Sequence, residues 1–198
     1  RKIWIDEDVL RLNTDKRGRY LGEFQGEDRI LVVNKNGTYY TTDYDLSNHY
    51  EEGFSVIEKY EPEKVWSAVF FDAEQQFYYL KRFRFENMVR HTLFIGETEG
   101  SYLVALSGEK RPRFEVVFGG RYESRPAEVI VADEFIAEKS YKARGKRVTT
   151  YEVKQITEIE PLYSGEEESE ETTSTDIDFE ITNPDMLGDE TQMKLDFE

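Results

Sequence analysis

The run Lys81-Arg82-Phe83-Arg84-Phe85 holds the residue types from which a phosphate-binding surface is built. Side chains of an extended strand alternate between faces, so Phe83 and Phe85 share one face and Arg82 and Arg84 the other. The two guanidiniums then project about 7 Å apart. That spacing suits successive phosphates, each held by charge and paired hydrogen bonds. Arg111 and Arg113 repeat the arrangement around Pro112, followed by an inward Phe114. Lys142, Arg144, Lys146 and Arg147 surround Gly145, and Lys16, Arg17 and Arg19 surround Gly18. Together these clusters predict a rim of basic strands and loops that grips the backbone of a bent duplex without reading its bases. The competing expectation is a solvated strand whose arginines are neutralised by acids such as Glu74 or Glu86. In that case the body is a propeller-like module that binds proteins and no DNA.

Other chemistry is sparse. His49 and His91 are far apart in sequence and in no metal-ligand spacing. Asp43-Tyr44-Asp45 starts like a calcium loop, but Asn48 stands where the sixth-position glycine belongs and Phe54 where the twelfth-position glutamate belongs. No phosphate loop, nucleophile elbow or dinucleotide fingerprint is present. The chain has no cysteine, which removes disulfides, thiolate nucleophiles and cysteine-held zinc together. No catalytic residue, metal or cofactor is therefore expected, and a reducing cytoplasmic setting is. No apolar run approaches the ~20 residues of a membrane span. The opening Arg1-Lys2-Ile3-Trp4 lacks an initiator methionine and reads as a piece of a longer protein.

The elements that must carry these clusters are strands. Residues 1–163 are rich in Tyr, Phe, Val and Ile and punctuated by Gly and Asn. Ile30–Val33 and Thr38–Thr42 flank Asn36-Gly37, whose backbone freedom predicts a hairpin with a type I′ turn. Trp66–Phe71 pairs with Phe77–Phe85 through Asp72–Gln76. Tyr102–Leu106 is expected to pair with Arg111–Phe118, and Glu128–Ala132 with Val148–Val153. The first three units recur every 35–40 residues or so, the mark of a repeated blade. The fold expected is all-β, a propeller-like array of three to four blades.

Beyond residue 163 the pattern collapses. Glu166–Thr175 is acidic and hydroxyl-rich and lacks large apolar groups, so residues 164–198 are expected to be a largely disordered tail. The tail also corrects a misleading total. The chain's net charge is −16, but residues 166–198 hold 13 acids and one base, leaving a body of net charge −4. A near-neutral body can still present a basic stripe.

The ordered string Lys16–Phe24 (KRGRYLGEF), Glu27–Tyr39 (EDRILVVNKNGTY), Lys81–Glu86 (KRFRFE) and Lys142–Val153 (KARGKRVTTYEV) resembles the C-terminal β-pinwheel domain of the A subunit of bacterial type IIA topoisomerases. Within that family it is most similar to the topoisomerase IV kind of the Bacteroidetes, over about residues 1–163. The resemblance implies blades that exchange strands with their neighbours and a basic rim around which duplex DNA bends. The basic clusters read above put Arg17, Arg19, Lys81, Arg82, Arg84, Arg111, Arg113, Lys142, Arg144, Lys146 and Arg147 forward as the expected DNA contacts on such a rim. The resemblance also implies as partners the rest of the A subunit and the ATPase B subunit. The parent enzyme would use ATP and Mg²⁺ bound elsewhere, and the cleaving tyrosine would lie outside this chain. The gyrase box is absent, with Ala143–Arg147 at most an echo of it, which implies decatenation or relaxation over gyrase-like wrapping. Finally, Gln192, Leu195 and Phe197 are similar to the short peptide by which replication proteins dock on the sliding clamp, a pattern suited to an extended tether.

Overall fold

Branched and aromatic side chains fit a pleated, half-buried surface, and the runs that carry them are strands in the structure. The computed structural model describes residues 1–162, which form four antiparallel sheets. The first sheet has the order β2-β1-β3, from β1 (Lys2–Asp6), β2 (Arg11–Asn13) and β3 (Arg19–Glu23). The second is β6-β4-β5-β9, from β4 (Ile30–Asn34), β5 (Thr38–Thr42), β6 (Phe54–Lys59) and β9 (Thr92–Leu93). The third is β10-β7-β8-β13, from β7 (Trp66–Asp72), β8 (Phe77–Phe83), β10 (Tyr102–Ser107) and β13 (Lys146–Arg147). The fourth is β12-β11-β14, from β11 (Arg113–Phe118), β12 (Glu128–Val131) and β14 (Val153–Ile159). Helix is confined to single turns, such as α1 (Ala132–Phe135). This is the all-β blade array expected, with four blades.

One rule generates all four sheets. Each unit supplies a first strand at the centre, a second beside it and a third on the first strand's other edge. Between its second and third strands the chain reaches back and pairs with the second strand of the preceding unit. Hence β9, from the third unit, extends the second sheet on β5, and β13, from the fourth, extends the third sheet on β8. His49 does the same to the first sheet, bridging Arg11 while the Tyr50 amide donates to the Leu10 carbonyl at 3.0 Å.

This exchange corrects two of the expected hairpins. Tyr102–Leu106 pairs with β7, not with Arg111–Phe118, and Glu128–Val131 pairs with β11, not with Val148–Val153. Adjacency in sequence suggested the hairpins, but Tyr102–Leu106 and Arg111–Phe118 belong to different blades. Val148–Glu152 is not strand at all, the strand there starting at Val153. The Asn36-Gly37 hairpin is present with a different turn. Gly37 alone has a positive φ, of 85°, and its amide donates to the Asn34 carbonyl at 3.1 Å. That is a three-residue loop with a glycine bulge in place of the two-residue type I′ turn. The Asn36 side chain spends its oxygen on the Thr38 amide at 3.0 Å, which stabilises the bulged form.

Packing explains why some strands lack alternation. Ile30 and Val32 of β4 join Ile3, Ile5, Leu12 and Phe24 in the core between the first two sheets. Leu31 and Val33 point the other way, to Trp66, Phe70, Phe83, Phe85 and Phe94 between the second and third. In β7, Trp66, Ala68 and Phe70 face back and Val69 faces forward to Phe114 and Val116. Strands buried on both faces read as continuous apolar runs. β1 and β11, in the two outer sheets, bury one face and alternate.

Candidate nucleic-acid interface

The predicted basic residues begin with a correction. Lys81 is 2% exposed, its ammonium sealed inside the blade array, and it cannot touch a phosphate. Alternation along β8 turns it inward with Tyr79 and Phe83, where it meets backbone carbonyls of two donated segments. It donates to the Phe94 carbonyl, to Tyr141 at 2.5 Å and to Ala143 at 3.2 Å. Burial pushes its pKa down to about 8.

Arg82 lies on β8 and Arg84 just past its end at Phe83, and both are already engaged by the protein. Arg82 donates to the Ile136 carbonyl at 3.2 Å, and the Lys139 amide donates to the Arg82 carbonyl at 2.9 Å. Arg84 lies between Glu63 at 2.7 Å and Glu138 at 2.9 Å. Arg111 is clasped by Asp133 at 3.0 Å and Glu134 at 2.8 Å. The neutralising acids are thus real, though they are not Glu74 and Glu86. They come from distant chain, which strand alternation does not reveal. Arg82 and Arg111 line a hollow of about 590 Å³ that also holds Glu61, Glu63, Glu109 and Asp133, so it offers no net positive field. In the first sheet Arg19 is held by Glu7 at 2.9 Å and Arg17 lies 3.6 Å from Asp15. Arg113 donates to the Glu160 carbonyl at 2.7 Å.

The remaining cluster is different. The donated segment 139–148 runs along the outer edge of β8, with Lys146 opposite Leu80 and Arg147 opposite Tyr79. Lys142, Arg144, Lys146 and Arg147 are all exposed there. Among the described residues, only Arg144 has a carboxylate within reach, Glu74 at 4.0 Å. Arg147 lies over the Phe77 ring at 3.7 Å and Lys146 over Phe135 at 4.3 Å, contacts that orient the cations without neutralising them. Gly145 makes this approach possible: its φ is 90°, and a Cβ there would sit 2.6 Å from the Leu80 carbonyl oxygen.

A hollow of about 960 Å³ joins this edge to the equivalent edge of the second sheet, lined by Arg90, His91, Lys142 and Arg144 among others. Arg90 is an exposed cation that the sequence reading passed over, because it lies between strands in a stretch without periodicity. His91 stacks on Tyr40 with centroids 4.1 Å apart and planes 8° apart. His49 and His91 both sit on segments that pair with a preceding blade. The eleven predicted residues therefore do not form one rim. Lys146 and Arg147 point to opposite faces of their strand, and the geometry gathers only residues 142–147, with Arg90, on one outer edge.

The Asp43–Asn48 loop is filled by its own bonds. Asp43 accepts from the Asn48 amide side chain at 2.7 Å and Asp45 from the Ser47 amide at 2.8 Å. Among the described residues, no group of three or more His, Cys, Asp or Glu side chains is gathered for a metal, and no helix is long and apolar enough to cross a membrane. The tail from 164 and its Gln192, Leu195 and Phe197 lie outside the described residues.

Comparison with known proteins adds two findings. A family model described as "Topoisomerase C-terminal domain, Bacteroidota" matches residues 11–160. Among solved structures, the chain is similar to the crystal structure of the C-terminal domain of DNA topoisomerase IV, at 12% identity and a TM-score of 0.44. That match covers 77% of this chain and 54% of the other, so the chain spans about half the length of that domain. No curated protein matches.

Proposed function

The chain belongs to the Bacteroidota topoisomerase C-terminal domain family, and from that premise we propose that it binds and bends duplex DNA for a parent type II topoisomerase of the topoisomerase IV kind. The domain positions duplex for decatenation or relaxation, while strand breakage and ATP- and Mg²⁺-dependent steps belong to the remainder of the A subunit and to the B subunit. The observation that carries this reading is the edge 142–147. Three of its four cations have no carboxylate partner among the described residues, and two are braced on aromatic rings. A phosphate approaching that edge exchanges counterions for fixed cations, which makes affinity salt-dependent.

Fluorescence anisotropy of the full chain with a labelled duplex, across a salt series, tests it. Replacing Lys142, Lys146 and Arg147 with alanine is expected to weaken binding at low salt by at least about tenfold and to reduce the log–log salt slope by about 2–3. Arg84→Ala, which removes a cation already held by two carboxylates, is expected to change affinity less than about twofold. Undetectable or salt-insensitive binding by the unmodified chain would sink the proposal. The dense pairing of Arg84 and Arg111 is what favours the rival, a protein-binding module. Clamp docking through Gln192, Leu195 and Phe197 is a separate proposal, removed if truncating residues 192–198 leaves clamp binding unchanged.

A further inference from the structure

The donated segments occupy equivalent places in three blades, yet their charges differ. Each meets the outer edge of a second strand, β2, β5 or β8, and seats one apolar side chain in the core, Tyr50, Phe94 or Val148. Aligned on that seated residue, the three stretches are 43–52, 87–96 and 141–150. The first holds four acids and no lysine or arginine, the second one arginine and no acid, the third four cations and no acid. Their net charges are therefore −4, +1 and +4. Asp43, Asp45, Glu51 and Glu52 are all exposed, and among the described residues none of them is in an ion pair. Hydrogen bonds from Ser47 hold the Asp45 carboxyl below the usual carboxylate range, so it stays charged. Arg1 lines a hollow of about 390 Å³ with Asp43 and Asp45, and counting it still leaves −3 on this edge. Arg90, Lys142 and Arg144, by contrast, line the one hollow that joins the second edge to the third. Asp72, Glu74 and Glu97 line it too, which makes the second edge a weaker seat for an anion than the third.

From this gradient we propose that duplex seats on the third-blade edge and is turned away from the first, so that its path over the array is one-sided. The inference rests on the DNA-binding reading above and adds a direction to it. Duplex carries one negative charge per about 1.7 Å of its axis. Laid along all three edges, it would set phosphates against four carboxylates, where like charges repel and no counterion is released in exchange. Packed sheets lie about 10 Å apart, so the first and third edges are separated by roughly 20 Å. The Debye length is about 10 Å at 0.1 M salt. Phosphates held on the third edge are thus screened from the first-edge acids, and only a duplex that bends back toward them meets the repulsion. The acids set where the path ends and leave the strength of the third seat alone.

The chain has no cysteine, so single introduced cysteines report position cleanly. His49→Cys, Val89→Cys and Thr150→Cys each replace an exposed residue, one on each edge. A short photo-crosslinker on each thiol, in the full chain, reads contact with a labelled duplex. Cross-linking is expected to be strongest from Thr150→Cys, weaker from Val89→Cys and at least about tenfold lower from His49→Cys than from Thr150→Cys. Adding Glu51→Lys and Glu52→Lys to His49→Cys takes that edge from −4 to 0 and should raise its yield at least about threefold. Equal yields from all three edges overturn the one-sided path while leaving DNA binding intact. A His49→Cys yield that the two lysines leave unchanged does the same, as does a duplex that binds without cross-linking to Thr150→Cys. No binding of duplex by the unmodified chain overturns the DNA reading and takes this inference with it.

Discussion

Lys81 shows how one side chain can serve the array better than the surface it was expected to serve. Its ammonium bonds the carbonyls of Phe94, Tyr141 and Ala143, so it ties the second and third donated segments to a single strand. The rings of Phe83 and Phe94 lie 5.0 and 5.8 Å from it and add cation–π attraction. Burial still disfavours the charge and lowers the pKa to about 8, below its ordinary 10.5. The unfolded chain therefore binds more protons than the folded one between those values, so stability rises with pH through that window. The slope is at most about 1.4 kcal/mol per pH unit. Tyr39, Tyr50 and Tyr78, whose burial raises their pKa, reverse the trend above pH 10, where their unfolded forms lose a proton first. Urea melts at pH 7.5, 8.5 and 9.5 should show the rise in the unmodified chain and its loss in Lys81→Met. That variant should also be less stable at every pH by about 2–4 kcal/mol, since buried carbonyls lose their donor. A pH-independent unmodified protein over this range would contradict the assignment.

At the scale of elements, the long apolar strands were legible, and partners were legible only across short turns. Val148–Glu152 is not strand, and β1, β2, β3, β6 and β14 were not singled out. Trp66–Asp72 with Phe77–Phe83 and Ile30–Val33 with Thr38–Thr42 are hairpins because a short turn leaves antiparallel neighbours little choice. β9 and β13 are two residues long and carry no strand signature, as their place is set by the preceding blade. The basic edge was half legible for the same reason. Lys142–Arg147 stood out by composition, whereas the acids that silence Arg84 and Arg111 arrive through contacts 21 or more residues away. Gly145 joins the element to its chemistry. Gly145→Ala adds a Cβ against the Leu80 carbonyl at a φ that side chains avoid. It is expected to cost about 1–3 kcal/mol of stability and to detach the 142–147 edge. Thermal melts should show the first effect. Anisotropy with duplex should show weakening comparable to that of the Lys142/Lys146/Arg147 variant, and unaltered binding would separate the edge from DNA recognition.

Across the whole molecule, three cores each join consecutive sheets, so stability is a sum of nearest-neighbour interfaces, as in repeat proteins. The interfaces are unequal. The middle core holds a mesh of aromatic contacts in which Phe85 meets Tyr39, Phe83, Phe94 and Trp66 at 4.5–5.6 Å. The first core is built mainly of aliphatic side chains around Phe24 and Tyr50. The first sheet contributes three strands and buries a single face, so it can open while the remainder stays folded. Phe85→Ala should therefore destabilise the whole array by about 3–5 kcal/mol and raise exchange in the second and third sheets together. Ile3→Ala should cost about 2–4 kcal/mol at the first interface and raise exchange in residues 1–23 with little change in β7, β8 or β11. Hydrogen exchange on the two variants distinguishes this from an all-or-none domain. If Ile3→Ala accelerates exchange equally in every sheet, the blades unfold as one unit and the nearest-neighbour account fails.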